Sequence, residues 1–173
     1  MYWGLTFENT RNTYKTRNKM KRFLFLATLL VSVFATFKMG LYTFDTGNPF
    51  FYMFLHDNIF HLAINLYCAY LLRNMLRFDF FVPAYIVSVV IHIILPQPLP
   101  VIGFSSVLFF FTGFLAAYSK RVLFYTIPFL VIGFFCTNIA ADFHLCAFIA
   151  GISTASIKKL VNKYNDFCRG YKT

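Results

Sequence analysis

The sequence has little charge with which to cover a soluble core. Only 13% of its 173 residues are Asp, Glu, Lys or Arg, whereas 59% are apolar and 21% are aromatic. A soluble domain of this length needs far more polar surface, so the composition argues against an ordinary soluble globular protein. The apolar residues form blocks that are separated by charged clusters or by Pro and Gly. This pattern predicts an all-α, polytopic membrane protein with a single membrane domain.

Cysteine is scarce and scattered. The four cysteines form neither a CxxC pair nor any spacing typical of a metal site; they are Cys68, Cys136, Cys146 and Cys168. Free cysteine behaves as a small buried hydrophobe, so we interpret all four as packing residues. The histidines lack a matching cluster of cysteines or carboxylates, and we therefore predict neither a metal nor a cofactor.

Six apolar blocks predict six membrane spans, at residues 23–37, 50–72, 80–95, 103–118, 122–138 and 140–157. The first follows a basic segment, as in a signal peptide, but no convincing small-x-small cleavage site comes after it, so we interpret it as a retained span. The fourth is short, about 24 Å at ~1.5 Å per residue against the ~30 Å of a bilayer core. Irregular backbone below the membrane surface needs protein or a water-filled cavity around it. We therefore expect a small wet pocket where the fourth span begins.

The basic residues lie almost entirely on one side of these spans. With a cytoplasmic N-terminus, the inner segments are 1–22, 73–79, 119–121 and 158–173, which hold six, two, two and five of the 16 Lys and Arg residues. Only Lys38 lies outside. This positive-inside pattern predicts that both termini are cytoplasmic. Topology and contact with an anionic lipid bilayer then account for the net charge of +10, and no nucleic-acid partner is required.

The chain thus divides into a basic cytoplasmic segment at residues 1–22, a membrane domain at residues 23–159 and a basic cytoplasmic tail at residues 160–173. The short termini and the strong charge bias favour a bacterial cytoplasmic membrane.

Four polar residues fall at a common depth in the outer half of the predicted membrane. His61 and Asn65 lie in the second span, Ser105 begins the fourth, and His144 lies about one turn into the sixth. Such groups are expensive inside a bilayer and usually mark a functional site. Taken alone, each is more often part of a simple interhelical hydrogen bond, but that explanation does not account for their common depth on alternate helices. His92, a lone histidine near the outer end of the third span, is interpreted as structural.

Stripes of small residues allow the fourth and sixth spans to approach each other. A histidine acts as a base toward a serine only when the two atoms are about 2.6–3.2 Å apart, which requires close backbones here. Generic small-residue packing is the alternative. The stripes are Ser106, Gly113 and Ala117 on the fourth span and His144, Ala147, Gly151 and Ala155 on the sixth.

Three motifs stand on the second, fourth and sixth spans: His56-x4-His61-x3-Asn65, Gly103-x-Ser105 and His144-x2-Ala147-x3-Gly151. In order and spacing they resemble the motifs of rhomboids, the family of intramembrane serine proteases. The resemblance covers residues 23–159, and it implies a six-helix rhomboid-like bundle with a short fourth helix.

The resemblance also implies roles for individual residues. Ser105 is expected to be the nucleophile and His144 the general base of a Ser–His dyad. The side chains of His61 and Asn65, with the backbone N–H of Ser105, are expected to form the oxyanion hole. The implied activity is cleavage of transmembrane or membrane-anchored proteins near the outer face of the bilayer.

Three further residues take supporting roles by the same resemblance. Gly103 is expected to let the loop before the fourth helix turn tightly, Phe109 to place its ring against the catalytic histidine, and His56 to lie near the cavity mouth. The chain departs from the family in two places. Ser106 stands where rhomboids usually have Gly, and the segment 38–49 is short and lacks their Trp-Arg pair.

Two alternatives remain open at this point. A rhomboid-like pseudoprotease would bind or escort membrane proteins without cleaving them, but such relatives usually lack the Ser or the His. A small transporter or channel would need polar residues that continue through the inner half of the spans, and the sequence has few there.

Overall fold

The computed structural model describes residues 4–95, 101–135 and 140–170, with side chains over 17–95, 101–135 and 140–166. This part of the chain forms six α-helices and one short 3-10 helix without any strand, so the predicted all-α class is confirmed. Residues 96–100, between the third and fourth predicted spans, lie outside the described residues, as do Cys136 and the side chain of Cys168. The helices are α1 (Gly4–Lys38), α2 (Ile59–Leu71), α3 (Phe78–Ile94), α4 (Ser105–Ala116), α5 (Lys120–Phe135) and α6 (Ala141–Gly170), with the 3-10 helix at Tyr52–Phe54 between α1 and α2.

The first and last helices are longer than the apolar blocks that predicted them. α1 begins at Gly4 and α6 continues to Gly170, so both basic terminal segments are largely helical. Neither extension contains an internal Pro or Gly that would end a helix. α1 ends where Gly40 adopts a left-handed conformation (φ 69°) and donates its N–H to the carbonyl of Phe37.

The second helix is shorter than its predicted span. α2 begins at Ile59, nine residues after the predicted start, because Asn58 is extended and its side-chain oxygen caps the helix by accepting the N–H of His61 at 2.8 Å. Residues 55–58 therefore form a loop, and His56 belongs to this loop and not to the helix.

The short helix α4 is the centre of the fold. Its 12 residues span about 18 Å, and it packs against α6 most extensively and also against α2, α3, α5 and the 3-10 helix. A Cβ atom built on Gly113 would collide with the carbonyl of Phe148 on α6. Reciprocally, a Cβ atom on Gly151 would collide with the carbonyl of Phe110 on α4. The predicted small-residue contact between these helices is thus present, with backbone against backbone.

Two stretches in the described part of the chain are long and apolar enough to cross a membrane, Arg17–Lys38 and Ala141–Asp166. Three further apolar helices are shorter: Ile59–Leu71, Phe78–Ile94 and Ser105–Ala116. Large apolar side chains also cover the outside of the fold, including Phe60, Phe78 and Phe135, which are 77%, 83% and 83% exposed.

Candidate active site

Ser105 and His144 meet at the junction of α4 and α6. Ser105 is the first residue of α4, His144 lies in the first turn of α6, and Oγ of Ser105 is 2.8 Å from Nε2 of His144. This is the distance over which an imidazole can take a proton from a hydroxyl. Both side chains are only half-buried, so a reactant could reach them. The contact depends on the close approach of α4 and α6, because the two residues come from different helices.

The ring of Phe109 holds the imidazole of His144 from one side. Phe109 follows Ser105 by one helical turn, and its ring stacks on that of His144 with 4.4 Å between centroids and 22° between planes. Stacking of this kind restricts rotation of the imidazole. The aromatic contact expected from the sequence is therefore present.

Gly103 lies in the loop before α4 and faces the side chains of α2. Its φ of 115° is in the region that only glycine adopts readily. A Cβ atom at this position would lie 2.5 Å from Nε2 of His61 and 3.4 Å from Nδ2 of Asn65. Its N–H donates to the carbonyl of Tyr52 at 3.1 Å. The two nitrogens of α2 thus lie directly against the backbone two residues before Ser105.

His56 is buried beneath this cluster. The sequence predicts a position near a cavity mouth, but this is wrong: the loop at residues 55–58 turns Leu55 and His56 inward ahead of α2, and both side chains are fully buried. Its Nδ1 is 3.3 Å from the carbonyl of Phe54, which can only accept, so Nδ1 carries the proton. Nε2 of His56 then accepts from the amide of Asn65 at 2.9 Å. This bond fixes the Asn65 side chain and leaves its second amide hydrogen available.

His61 has a carboxylate partner that the sequence analysis did not assign. Nδ1 of His61 is 2.8 Å from Oδ1 of Asp57, and Nδ2 of Asn58 donates to the other carboxylate oxygen, also at 2.8 Å. Asp57 precedes His61 by four residues, a spacing that could have indicated the pair had the loop been foreseen.

Ser106 stands in place of the expected glycine and has its own partner. It is buried, and its Oγ is 3.0 Å from the hydroxyl of Tyr52. Since the Tyr52 hydroxyl donates to the carbonyl of Ser88 at 3.1 Å, Ser106 must donate to Tyr52. Tyr52 therefore contacts the loop before α4 through its backbone carbonyl and the first turn of α4 through its hydroxyl. The extra hydroxyl of Ser106 is thus accommodated by a tyrosine from the segment before α2.

His92 packs against Tyr52 and Phe143. Its ring stacks on Tyr52 with 4.4 Å between centroids, and its Nε2 is 3.2 Å from the carbonyl of Gly47. These contacts fit the structural role that was predicted. Cys68 and Cys146 are free and half-buried. Within the described ranges, no three His, Cys, Asp or Glu side chains converge in a way that could hold a metal ion.

Comparison of the chain with models of known protein families, with curated proteins and with solved structures gave no match. The arrangement of Ser105, His144 and the groups around them is therefore the basis for inferring a function.

Proposed function

We propose that this chain is an intramembrane serine endopeptidase of the rhomboid type, with Ser105 as nucleophile and His144 as general base. The observation that carries the proposal is the 2.8 Å separation between Oγ of Ser105 and Nε2 of His144. A serine hydroxyl is a weak nucleophile alone, and an adjacent base activates it. A role in packing would not require the pair to be accessible, whereas both side chains are partly exposed.

The chemical steps follow from the atoms around the dyad. Oγ of Ser105 attacks the scissile carbonyl while Nε2 of His144 accepts the hydroxyl proton. His144 then gives this proton to the leaving amine, and a water molecule hydrolyses the acyl-enzyme by the same route in reverse order. His144 thus serves as base and then as acid, in a position that stacking on Phe109 maintains.

An oxyanion hole is available beside Ser105. The backbone N–H of Ser105 is at the start of α4, where a helix does not use its own N–H groups. Asn65 has a free amide hydrogen next to Gly103, and His61 presents Nε2 to the same loop. Loss of one such donor typically raises the barrier by about 3–4 kcal/mol. These three groups are the proposed stabilisers of the tetrahedral intermediate.

The substrates proposed are transmembrane or membrane-anchored proteins. Support for membrane insertion comes from the two long apolar stretches, from the exposed aromatic surface and from the one-sided distribution of Lys and Arg. In the proposed arrangement six helices lie in the bilayer, both termini are cytoplasmic, and the dyad opens near the outer face. Substrate helices with Gly or Pro near the scissile bond should unwind more readily and be favoured.

A fluorophosphonate probe tests the nucleophile directly, because it reacts with an activated serine hydroxyl. The purified chain in detergent should be labelled at Ser105, and S105A should lose the label and also the cleavage of a fluorescent transmembrane substrate in proteoliposomes. S153A is the matched control, since Ser153 is exposed on α6 and bonds only to its own helix. A correctly folded chain that neither reacts nor cleaves would instead be a binding protein, and cleavage by S105A would end the assignment of the nucleophile.

A further inference from the structure

The two ring nitrogens of His61 have different surroundings, and these surroundings make different demands on its protons. On one side Nδ1 is 2.8 Å from the carboxylate of Asp57. On the other side Nε2 faces Gly103, which precedes Ser105 by two residues and lies beside the proposed oxyanion hole. The backbone N–H of His61 is held by the Asn58 cap, so the ring begins from a fixed position on α2.

The carboxylate of Asp57 decides which nitrogen of His61 carries a proton. Asp57 is 58% exposed, and it lies before α2. Loss of water contact alone would raise the pKa of its carboxyl, but the hydrogen bond and charge of His61 outweigh this effect and lower the pKa below its ordinary value. An ionised carboxylate can only accept, so Nδ1 of His61 must be protonated.

A neutral imidazole has only one N–H group. If Nδ1 holds it, then Nε2 presents a lone pair to the Gly103 loop, and a lone pair repels an oxyanion. Nε2 donates only when the ring carries both protons. We propose that Asp57 holds His61 as an imidazolium, so that the oxyanion hole contains one full positive charge. This inference rests on the proposed function and adds Asp57 to it as a positioning residue.

The other titratable groups around the His61 ring are compatible with this charge. His56 is 5.0 Å away between ring centroids, in an edge-on arrangement, and its two hydrogen bonds define it as neutral. A charge on His61 repels a proton on His144 of α6, and the oxyanion offsets this repulsion when His144 is protonated. When His144 takes the serine proton, the oxyanion forms at the same moment, and these two charges cancel. The imidazolium of His61 and the carboxylate of Asp57 also cancel, so the site carries no net charge at that stage.

Nitrogen-15 labelling of histidine gives a direct test, because the chain has only four histidines. Long-range proton–nitrogen correlation spectra of the full chain in micelles distinguish an imidazolium from either neutral tautomer, and H61Q identifies the signal. We expect His61 to be an imidazolium at pH 7 in the wild type. In D57N, which keeps an acceptor oxygen but loses the charge, we expect the neutral ring. D45N is the matched control, since Asp45 is an exposed outer-loop carboxylate that accepts the N–H of Gly47.

The same variants should differ in cleavage of the transmembrane substrate. Loss of a charged donor should lower kcat in D57N by about tenfold or more, with a smaller change in KM, and should move the alkaline limb of the pH profile to lower pH. D45N should keep the wild-type profile. A neutral His61 in the wild type at pH 7, or the same titration in D57N as in the wild type, would overturn the proposal.

The spectra separate this proposal from the proposed protease function, because they require no substrate. An imidazolium that depends on Asp57 in a chain without cleavage would support the pair and refute the protease. Cleavage by a chain whose His61 is neutral would support the protease and refute the charged pair. If D57N fails to fold, a neutral His61 in the wild-type spectrum still overturns the proposal.

Discussion

Gly151 of α6 lies so close to Phe110 of α4 that a methyl group on its α-carbon would collide with the Phe110 carbonyl oxygen. The obstacle is backbone, which cannot rotate away as a side chain can. The close spacing between the two helices therefore requires glycine at this position, as it does at Gly113. Because Ser105 and His144 are carried by these same helices, that spacing also sets the distance between the proposed nucleophile and its base.

The variant G151A should consequently lose both stability and activity. We expect the free energy of unfolding in mixed micelles to fall by about 1–3 kcal/mol, as for an overpacked core. Cleavage should fall by at least tenfold, since displacement of a reacting group by about 1 Å can cost 10²-fold in rate. S153A, an exposed change on the same helix, should alter the stability by less than about 0.5 kcal/mol. Cleavage by G151A at the wild-type rate would show that the helix spacing at Gly151 does not set the distance between Ser105 and His144.

Phe109 offers a second test, because its ring stacks on His144 but carries no group that takes part in the proposed proton transfer. F109L keeps an apolar side chain but removes the stacking at 4.4 Å. Aromatic pairs contribute about 0.5–1.5 kcal/mol, so we expect kcat to fall about 2- to 12-fold while KM changes little. F25L makes the same change on α1, where Phe25 is 73% exposed, and should leave kcat unaltered. An unchanged kcat in F109L would mean that the stacking does not position the imidazole.

Much of the arrangement around Ser105 and His144 could be predicted because it depends on spacing along helices. Residues seven apart, such as His144 and Gly151, share a face whatever the details of the fold. The short apolar run after Gly103 likewise predicted a helix too short to cross a bilayer alone, and α4 has 12 residues. The length of each helix was harder to predict. An apolar block identified by hydropathy ends at the first charged residues, whereas α1 and α6 continue as helices through their basic segments.

The roles of Tyr52 and Asp57 could not be read from the sequence. Tyr52 bonds to Ser106 across 54 positions of the chain, and neither residue carries a local signal for that pairing. Asp57 lies within the predicted span at residues 50–72, and the sequence analysis assigned it no role. The Asn58 cap delays the helix to Ile59, so Asp57 lies in the loop before α2, and its carboxylate contacts Nδ1 of His61 from there. A cap competes with helix propensity through one side-chain hydrogen bond, so hydropathy does not reveal it.

The Tyr52–Ser106 bond makes an asymmetric prediction about stability. Y52F leaves the buried hydroxyl of Ser106 without its acceptor, which should cost about 1–3 kcal/mol of unfolding free energy. S106A should cost less, about 0.5–1.5 kcal/mol, because Tyr52 still donates to the carbonyl of Ser88. The double variant should cost less than the sum of the two.

Unfolding in mixed micelles measures all three variants. Y85F is the matched control, since it removes a tyrosine hydroxyl whose bond to the Phe50 carbonyl is exposed. Strict additivity would show that the two hydroxyls do not interact, and a larger cost for S106A than for Y52F would contradict the assigned direction of the bond.

Gly103 and Gly40 together separate backbone strain from a collision within the proposed site. Both have positive φ, 115° and 69°, so alanine at either position should cost about 1–3 kcal/mol in strain. Only at Gly103 would the new Cβ meet a functional group, Nε2 of His61 at 2.5 Å, whereas nothing lies within 4 Å at Gly40.

G103A should therefore displace the His61 ring and lower kcat by about 10²- to 10³-fold, the effect of losing an oxyanion donor. G40A should be destabilised to a similar degree but cleave its substrate at the wild-type rate when both are assayed below their unfolding transitions. Equal kcat values for G103A and the wild type would remove His61 from the oxyanion hole. Equal losses of kcat in G103A and G40A would attribute the defect to strain, because strain is the only property that the two substitutions share.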